Sequence, residues 1–263
     1  MKIGTKLMVI ITAVNLAGIG GLTISSVMFS SEQIVSISDE YVNTVAVNAG
    51  SQIRAYLEVP LDEIRAVAQI SDHIDEYPLA ERRQELDFML RALCESNPDF
   101  VGVWAAFEAN ALDGRDALYV NTDETDETGR FQSYYQNDHG RVTVKPMGNF
   151  SVEDYYRTSF FSGKEGLIEP YYEDVGGEQV LITSLTVPIT RNGRVIGVAG
   201  IDLELTDIQD MVSKIKPYGT GIAGAFSHTG IIVAHPDPSR AGRQMQETEH
   251  DTGGNIWILL LTR

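Results

Sequence analysis

The chain has 263 residues, with 20 Lys+Arg against 37 Asp+Glu, a formal charge of −17. Its single cysteine, Cys94, excludes an internal disulfide and a multi-cysteine zinc cage, and the acidic balance makes nucleic acid an unsuitable partner. With 43% hydrophobic and 22% charged residues, the composition is that of a folded globular protein.

From Leu7 to Ser31 no residue is charged. As a helix this run is roughly 37 Å long at about 1.5 Å per residue, enough to cross a hydrocarbon core of about 30 Å. Lys2 and Lys6 precede it, and Glu32 and Asp39 follow, so the basic side stays in the cytoplasm and the remainder is exported. A cleaved signal peptide is the competing reading, with Ala13, Ala17 and Ser25–Ser26 as small residues. The apolar region of a signal peptide is usually about 7–15 residues, shorter than this run, which favours an uncleaved anchor. Both readings place residues 32–263 outside the cytoplasmic membrane.

Beyond the membrane a helical stripe continues through Ile34, Ile37, Tyr41, Val45, Ile53, Leu57, Leu61, Ile64 and Ala68. Pro60 predicts a kink or break within it. A second helix is expected with Leu79, Leu86, Met89, Leu90 and Leu93 on the buried face and Glu81, Arg82, Arg83 and Glu85 on the solvated one. At Pro98 the period changes. Strands are predicted over 100–107, 118–121, 141–144, 179–189 and 194–205, with Asn192-Gly193 as a hairpin turn between the last two. The acidic stretch 121–129 reads as a loop. A helix over 207–215 leads to strands over 221–226 and 231–234 around His228-Thr229-Gly230, and the apolar run 256–261 is too short to span a membrane. The whole is α+β, with antiparallel sheets flanked by helices.

The motifs that would signal an enzyme fail on context. Gly219-Thr-Gly221-Ile-Ala-Gly224 matches G-x-G-x-x-G, but a strand is expected after it where phosphate binding needs a helix N-terminus. His228 and His235 lack a third metal ligand at a recognisable spacing, and residues 121–129 lack the order of a calcium loop. No nucleophile elbow is present. The expectation is a protein that is not an enzyme and has no cofactor and no metal.

Several stretches, in this order and spacing, resemble the double Cache sensor region of bacterial methyl-accepting chemotaxis proteins. They are Phe100–Glu108, Asp113–Asp116, Thr128–Tyr135, Asp154–Tyr156, Ile168–Tyr172, Leu185–Ile189, Val195–Leu203 and Gly230–Asp237. The resemblance implies a PAS-like membrane-distal domain that holds the ligand, a membrane-proximal copy, and a homodimer along the long helix. It also implies a second membrane helix, a HAMP linker and a cytoplasmic signalling hairpin, none of which this sequence contains, so the chain is expected to be truncated or a fragment. The organisation implied is a cytoplasmic N-terminus (1–6), a transmembrane helix (7–31), a stalk helix (32–70), a distal Cache domain (71–215) and the start of a proximal one (216–263).

In family members that bind amino acids, an R-x-W-Y motif and a later aspartate hold the ligand's carboxylate and ammonium. Asp202 matches the aspartate and Tyr155-Tyr156 the aromatic pair, but Glu153 stands at the arginine position, where it would repel a carboxylate. Read physically, Asp202 in an apolar strand needs a partner, which a ligand ammonium or a hydrogen-bond donor of the protein would equally supply. Tyr155, Tyr156, Tyr171 and Tyr172 could wall a cavity or be ordinary core or surface aromatics, the latter weighing more for Tyr172, and Trp104 could equally be core or pocket. Arg130 fits either an ion pair or an anion clamp, and Tyr135 joins the candidates through the stretch Thr128–Tyr135. The expected ligand is an amine or amino-acid-like molecule, the amine being favoured by the missing arginine. The leading function is the extracytoplasmic sensor of a chemoreceptor in the inner membrane. The alternatives are the input module of a membrane histidine kinase or cyclic-dinucleotide enzyme, and a stand-alone anchored or secreted binding protein.

Overall fold

In the computed structural model, residues 3–248 and the strand 256–260 are described; Lys2 of the basic flank and Leu261 of the last apolar run lie outside them. The chain divides into two units at Asn48/Ala49. The first consists of helix α1 (Ile3–Asp72) up to Asn48. It is the one described helix long and apolar enough to cross a membrane, and side chains such as Leu7, Ile11, Leu16 and Phe29 are exposed along it.

In the second unit the rest of α1 buries Ile53, Leu57, Ile64, Val67 and Ala68. Pro60 does not break the helix as the sequence predicts. It lies inside α1 and is itself buried, so the apolar contacts on either side outweigh the one hydrogen bond that proline removes. Helix α2 (Arg82–Ser96) buries Leu86 and Leu90 as expected and Cys94 as well, whereas Leu79, expected on the same face, precedes the helix and is exposed. It also buries Arg83, which the sequence places on the solvated face. The Arg83 guanidinium pairs with Asp113 and Asp116, donates to the Gly129 carbonyl, and stacks on Tyr119, which pins the long loop between the first two strands.

That loop follows β1 (Phe100–Phe107), whose bounds match the predicted strand. The strand expected over 118–121 is absent; a short 3-10 turn, Asp116–Leu118, stands there, with Asp116 turned back to Arg83. Next come β2 (Gln132–Asp138), β3 (Arg141–Pro146), α3 (Asp154–Ser162), β4 (Gly166–Leu167), β5 (Tyr171–Val175), β6 (Glu178–Arg191) and β7 (Arg194–Glu204). These form one antiparallel sheet in the order β3-β2-β1-β7-β6-β4, with β5 also paired to β6. Asn192 and Gly193, both at positive φ, make the expected β6–β7 turn.

Registry puts Tyr134, Trp104, Gly200 and Thr186 in one row across β2, β1, β7 and β6, and Gln136, Gly102, Asp202 and Ser184 in the next. Side chains of these rows share a face, because alternate residues along a strand point the same way. On that face Trp104, Ala106, Tyr134 and Val198 pack with Phe150 and Tyr156. The β5–β6 hairpin arches over it toward β2 and β3: the Gln136 amide donates to the Asp174 carbonyl, and Lys145 pairs with Glu173 at 3.1 Å. Helix α4 (Thr206–Ser213) leads to a small second sheet of β8 (Ile222–Phe226), β9 (Ile232–Ala234) and β10 (Ile256–Leu260), in the order β10-β8-β9, with the short α5 (Met245–Thr248) before β10. No helix follows Gly224, so the glycines at 219–224 introduce a strand.

Candidate functional site

Asp202 lies near the end of β7 and is 2% exposed. Its Oδ1 accepts hydrogen bonds from the Trp104 indole at 3.0 Å and from the Ser184 hydroxyl at 2.6 Å. Ser184 is in turn 2.8 Å from the Tyr171 hydroxyl. The Tyr134 hydroxyl, buried and without a hydrogen bond of ordinary geometry, is turned to the same carboxylate. Burial pushes the Asp202 carboxyl up to about 6, against the pull of Ser184, Trp104 and Tyr134. Asp202 thus sits among neutral donors, with no guanidinium or ammonium paired to it among the described residues.

Two glycines create this arrangement. A Cβ on Gly200 would stand 2.3 Å from Cζ2 of Trp104, so the absence of a side chain lets the indole lie across β7 and reach Asp202 two residues on. A Cβ on Gly102 would meet the Tyr134 ring at 2.5 Å, so the second ring occupies space that only glycine leaves open.

The aromatic wall comes from α3 and β5. Tyr155, in the first turn of α3, meets Trp104 edge-on at 5.4 Å and stacks on Tyr171 at 6.3 Å. Burial is the main cause raising the phenol pKa of both, with Asp202 and Glu173 adding to it. Of the residues predicted from sequence, the fold therefore brings together Asp202, Trp104, Tyr155 and Tyr171. Tyr156 turns into the core, its ring against Phe150 and Phe160 and its hydroxyl donating to Glu108. Arg130 stacks over Phe150 at 5.7 Å, on the Tyr156 side of the cluster. Glu153 is the exposed N-cap residue of α3. Tyr172 is 56% exposed.

Tyr135 is not brought to Asp202. It faces α2, where its hydroxyl donates to Asp87 at 2.5 Å, because strand alternation sends it to the opposite face from Tyr134. No strand was expected over 132–138, so alternation could not separate Tyr134, on the Asp202 face, from Tyr135. Ser184, Lys145 and Glu173 also escaped sequence reading. Ser184 could have been found, since it is a small polar residue inside the predicted strand 179–189. A separate crevice, lined by Leu57, Leu167, Pro170, Ile208, His228 and Val233, contains none of the predicted ligand residues. His228 there pairs with Glu169 at 2.5 Å, and among the described residues no cluster of metal-ligating side chains occurs.

Residues 86–210 match the family model described as methyl-accepting chemotaxis protein-like, first PDC sensor domain. The chain is 28% identical over 206 residues to the methyl-accepting chemotaxis protein TlpQ of Pseudomonas aeruginosa, a match covering 71% of this chain and 28% of that protein. It thus spans less than a third of the length of this curated relative. Among solved structures it is similar to the extracellular domain of mmHK1S-Z3, assigned as a histidine kinase, with 30% identity, a TM-score of 0.70, and coverage of 81% of this chain and 76% of that one. The fold is shared with the ligand-binding domain of the Pseudomonas aeruginosa PAO1 amino-acid chemoreceptor PctC in complex with GABA, at 20% identity and a TM-score of 0.55, covering 79% of this chain and 80% of that one. Together with the antiparallel sheet, these matches establish a Cache-type sensor domain, within which residues 86–210 match the methyl-accepting chemotaxis protein-like sensor family.

Proposed function

We propose that this chain is the extracytoplasmic sensing part of a transmembrane chemoreceptor, and that the Asp202 site binds the ammonium group of a small amine. Residues 7–31 anchor it in the inner membrane, residues 32–70 form the stalk and the homodimer contact, residues 71–215 hold the ligand, and 216–263 begin a second Cache domain. The observation that carries the ligand reading is a buried carboxylate with only neutral donors around it, beside the faces of Trp104, Tyr155 and Tyr171. Such a group gains most from a cation, and aromatic faces add attraction to the same charge. The position that would hold a ligand carboxylate carries Glu153 instead, which favours an amine over an amino acid. PctC was solved with GABA, a ligand that also carries an ammonium.

Ligand binding would signal by favouring one arrangement of the distal domain over another, which requires different affinity for the two. No catalytic role is proposed for any residue. The likeness to mmHK1S-Z3 supports a second reading, the input module of a histidine kinase; whether a chemotaxis signalling domain or a kinase domain accompanies this sensor in its gene separates the two. The ligand reading is tested by thermal shift of the full chain in detergent against primary amines, amino acids and carboxylates. Stabilisation by amines that is lost in Asp202→Asn supports it, and a response to carboxylates alone overturns it.

A further inference from the structure

The rim of the Asp202 site carries a second acid. Glu173 on β5 pairs in register with Val180 on β6, the same face of β6 that presents Ser184 to Asp202. Its negative charge is felt across the site, acting on Asp202, Tyr134, Tyr155 and Tyr171 in the same direction. Opposite it, from β3, Lys145 places Nζ 3.1 Å from Glu173 Oε1 and 5.0 Å from the centroid of the Tyr134 ring, whose hydroxyl is turned to Asp202. The pair is partly exposed, with side-chain exposures of 44% and 29%, and exposed pairs contribute little to stability. Its consequence lies in the charge it leaves at the site.

We infer that Lys145 sets the charge of the ligand: by neutralising Glu173 it leaves Asp202 as the one buried acid of the site without a counter-ion and selects molecules with one positive group. This rests on the amine reading above. Asp202, Glu173 and Lys145 together carry one net negative charge, matched by a monocation, while Glu153, whose charge also reaches Tyr155, stands exposed at the α3 N-cap, where solvent screens it. A second ammonium on the ligand would approach Lys145 and be repelled, because charges of like sign at such range in a partly desolvated site interact appreciably. Without the Lys145 charge, Glu173 becomes a second acid facing the site, and a dication is the better match. The aromatic part of the niche would persist, since the face of Tyr134 that Lys145 covers would be open to a ligand cation.

The experiment is calorimetric titration of the full chain in detergent with two probes, n-butylamine and 1,4-diaminobutane, comparing the ratio of their dissociation constants. In Lys145→Met, which keeps an unbranched side chain and removes the charge, the ratio should move about tenfold in favour of the diamine. Adding Glu173→Gln should return it to the wild-type ratio, and the exchanged pair, K145E with E173K, should hold that ratio while controlling for loss of the β3–β5 contact. Amine binding that depends on Asp202 with a ratio unmoved in Lys145→Met overturns this inference and leaves the amine reading intact. If neither probe binds the wild-type chain, the amine reading falls and this inference falls with it.

Discussion

Replacing Asp202 by asparagine should make the unliganded protein more stable at neutral pH while removing its response to amines. The carboxyl is buried and its folded pKa is raised from 3.8 to about 6. The folded state therefore holds the proton more tightly than the unfolded chain. Below about pH 4 the group is protonated in both states and costs nothing. As pH rises through the interval from about 4 to 6 the unfolded chain ionises first and stability falls, and above pH 6 the full cost is present. That cost is about 3 kcal/mol at 1.36 kcal/mol per pKa unit. Asparagine keeps an oxygen for the Trp104 and Ser184 donors but carries no charge to desolvate. At pH 7.5 the variant should melt roughly 5–10 °C above the wild type, a gap that closes toward pH 4. Differential scanning calorimetry of both proteins from pH 4 to 8 makes the comparison, with the other carboxylates cancelling in the difference. A variant less stable than wild type at pH 7.5, or a gap independent of pH, would refute the account of Asp202 as an acid awaiting a cation.

The same linkage acts on binding: because a cationic ligand needs the ionised carboxylate, amine affinity measured by calorimetry should fall below pH 6, approaching tenfold per pH unit, and stay level above pH 7. Gly200→Ala should cost about 2–4 kcal/mol in urea unfolding, since the new methyl overlaps the Trp104 ring; a cost under 1 kcal/mol would mean that the indole can move aside freely. Arg83→Met should destabilise by about 3–5 kcal/mol by leaving Asp113 and Asp116 buried without their cation, with faster amide exchange in the loop between β1 and β2 as the local signature. Tyr135→Phe should leave amine affinity unchanged, its hydroxyl being tied to Asp87 on the far face of the sheet, whereas Tyr155→Ala should weaken it several-fold.

Local signals were enough for much of the scaffold. The uncharged run 7–31, the strand 100–107 and the Asn192-Gly193 turn each depend on neighbouring residues alone, through transfer to lipid, alternation and backbone conformation. Asp202 could be picked out for a similar reason, being a carboxylate set between Ile201 and Leu203 in an otherwise apolar stretch of strand. Where neighbours did not suffice, reading failed in recognisable ways. Pro60 looked like a helix breaker because the packing that holds α1 on both sides of it is tertiary. Arg83 looked solvated because its two acids lie 30 and 33 residues further on. Strand β2 went unassigned because its residues, Gln132–Asp138, are polar, yet most are buried by strands and helices from elsewhere in the chain.

What the sequence by itself determined is the long apolar helix, helix α2, strands β1, β6 and β7, and the one carboxylate, Asp202, that enters the face of the sheet. What only the tertiary structure decided is who stands beside that charge. Trp104 reaches Asp202 from 98 residues away, Ser184 joins it across a register pair, and Tyr134 rather than Tyr135 shares its face. Register is set cooperatively by the whole sheet, and a shift of one residue would carry every one of these side chains to the other face. The Lys145–Glu173 rim is still more remote from local rules, since it exists only because the β5–β6 hairpin folds back onto β3.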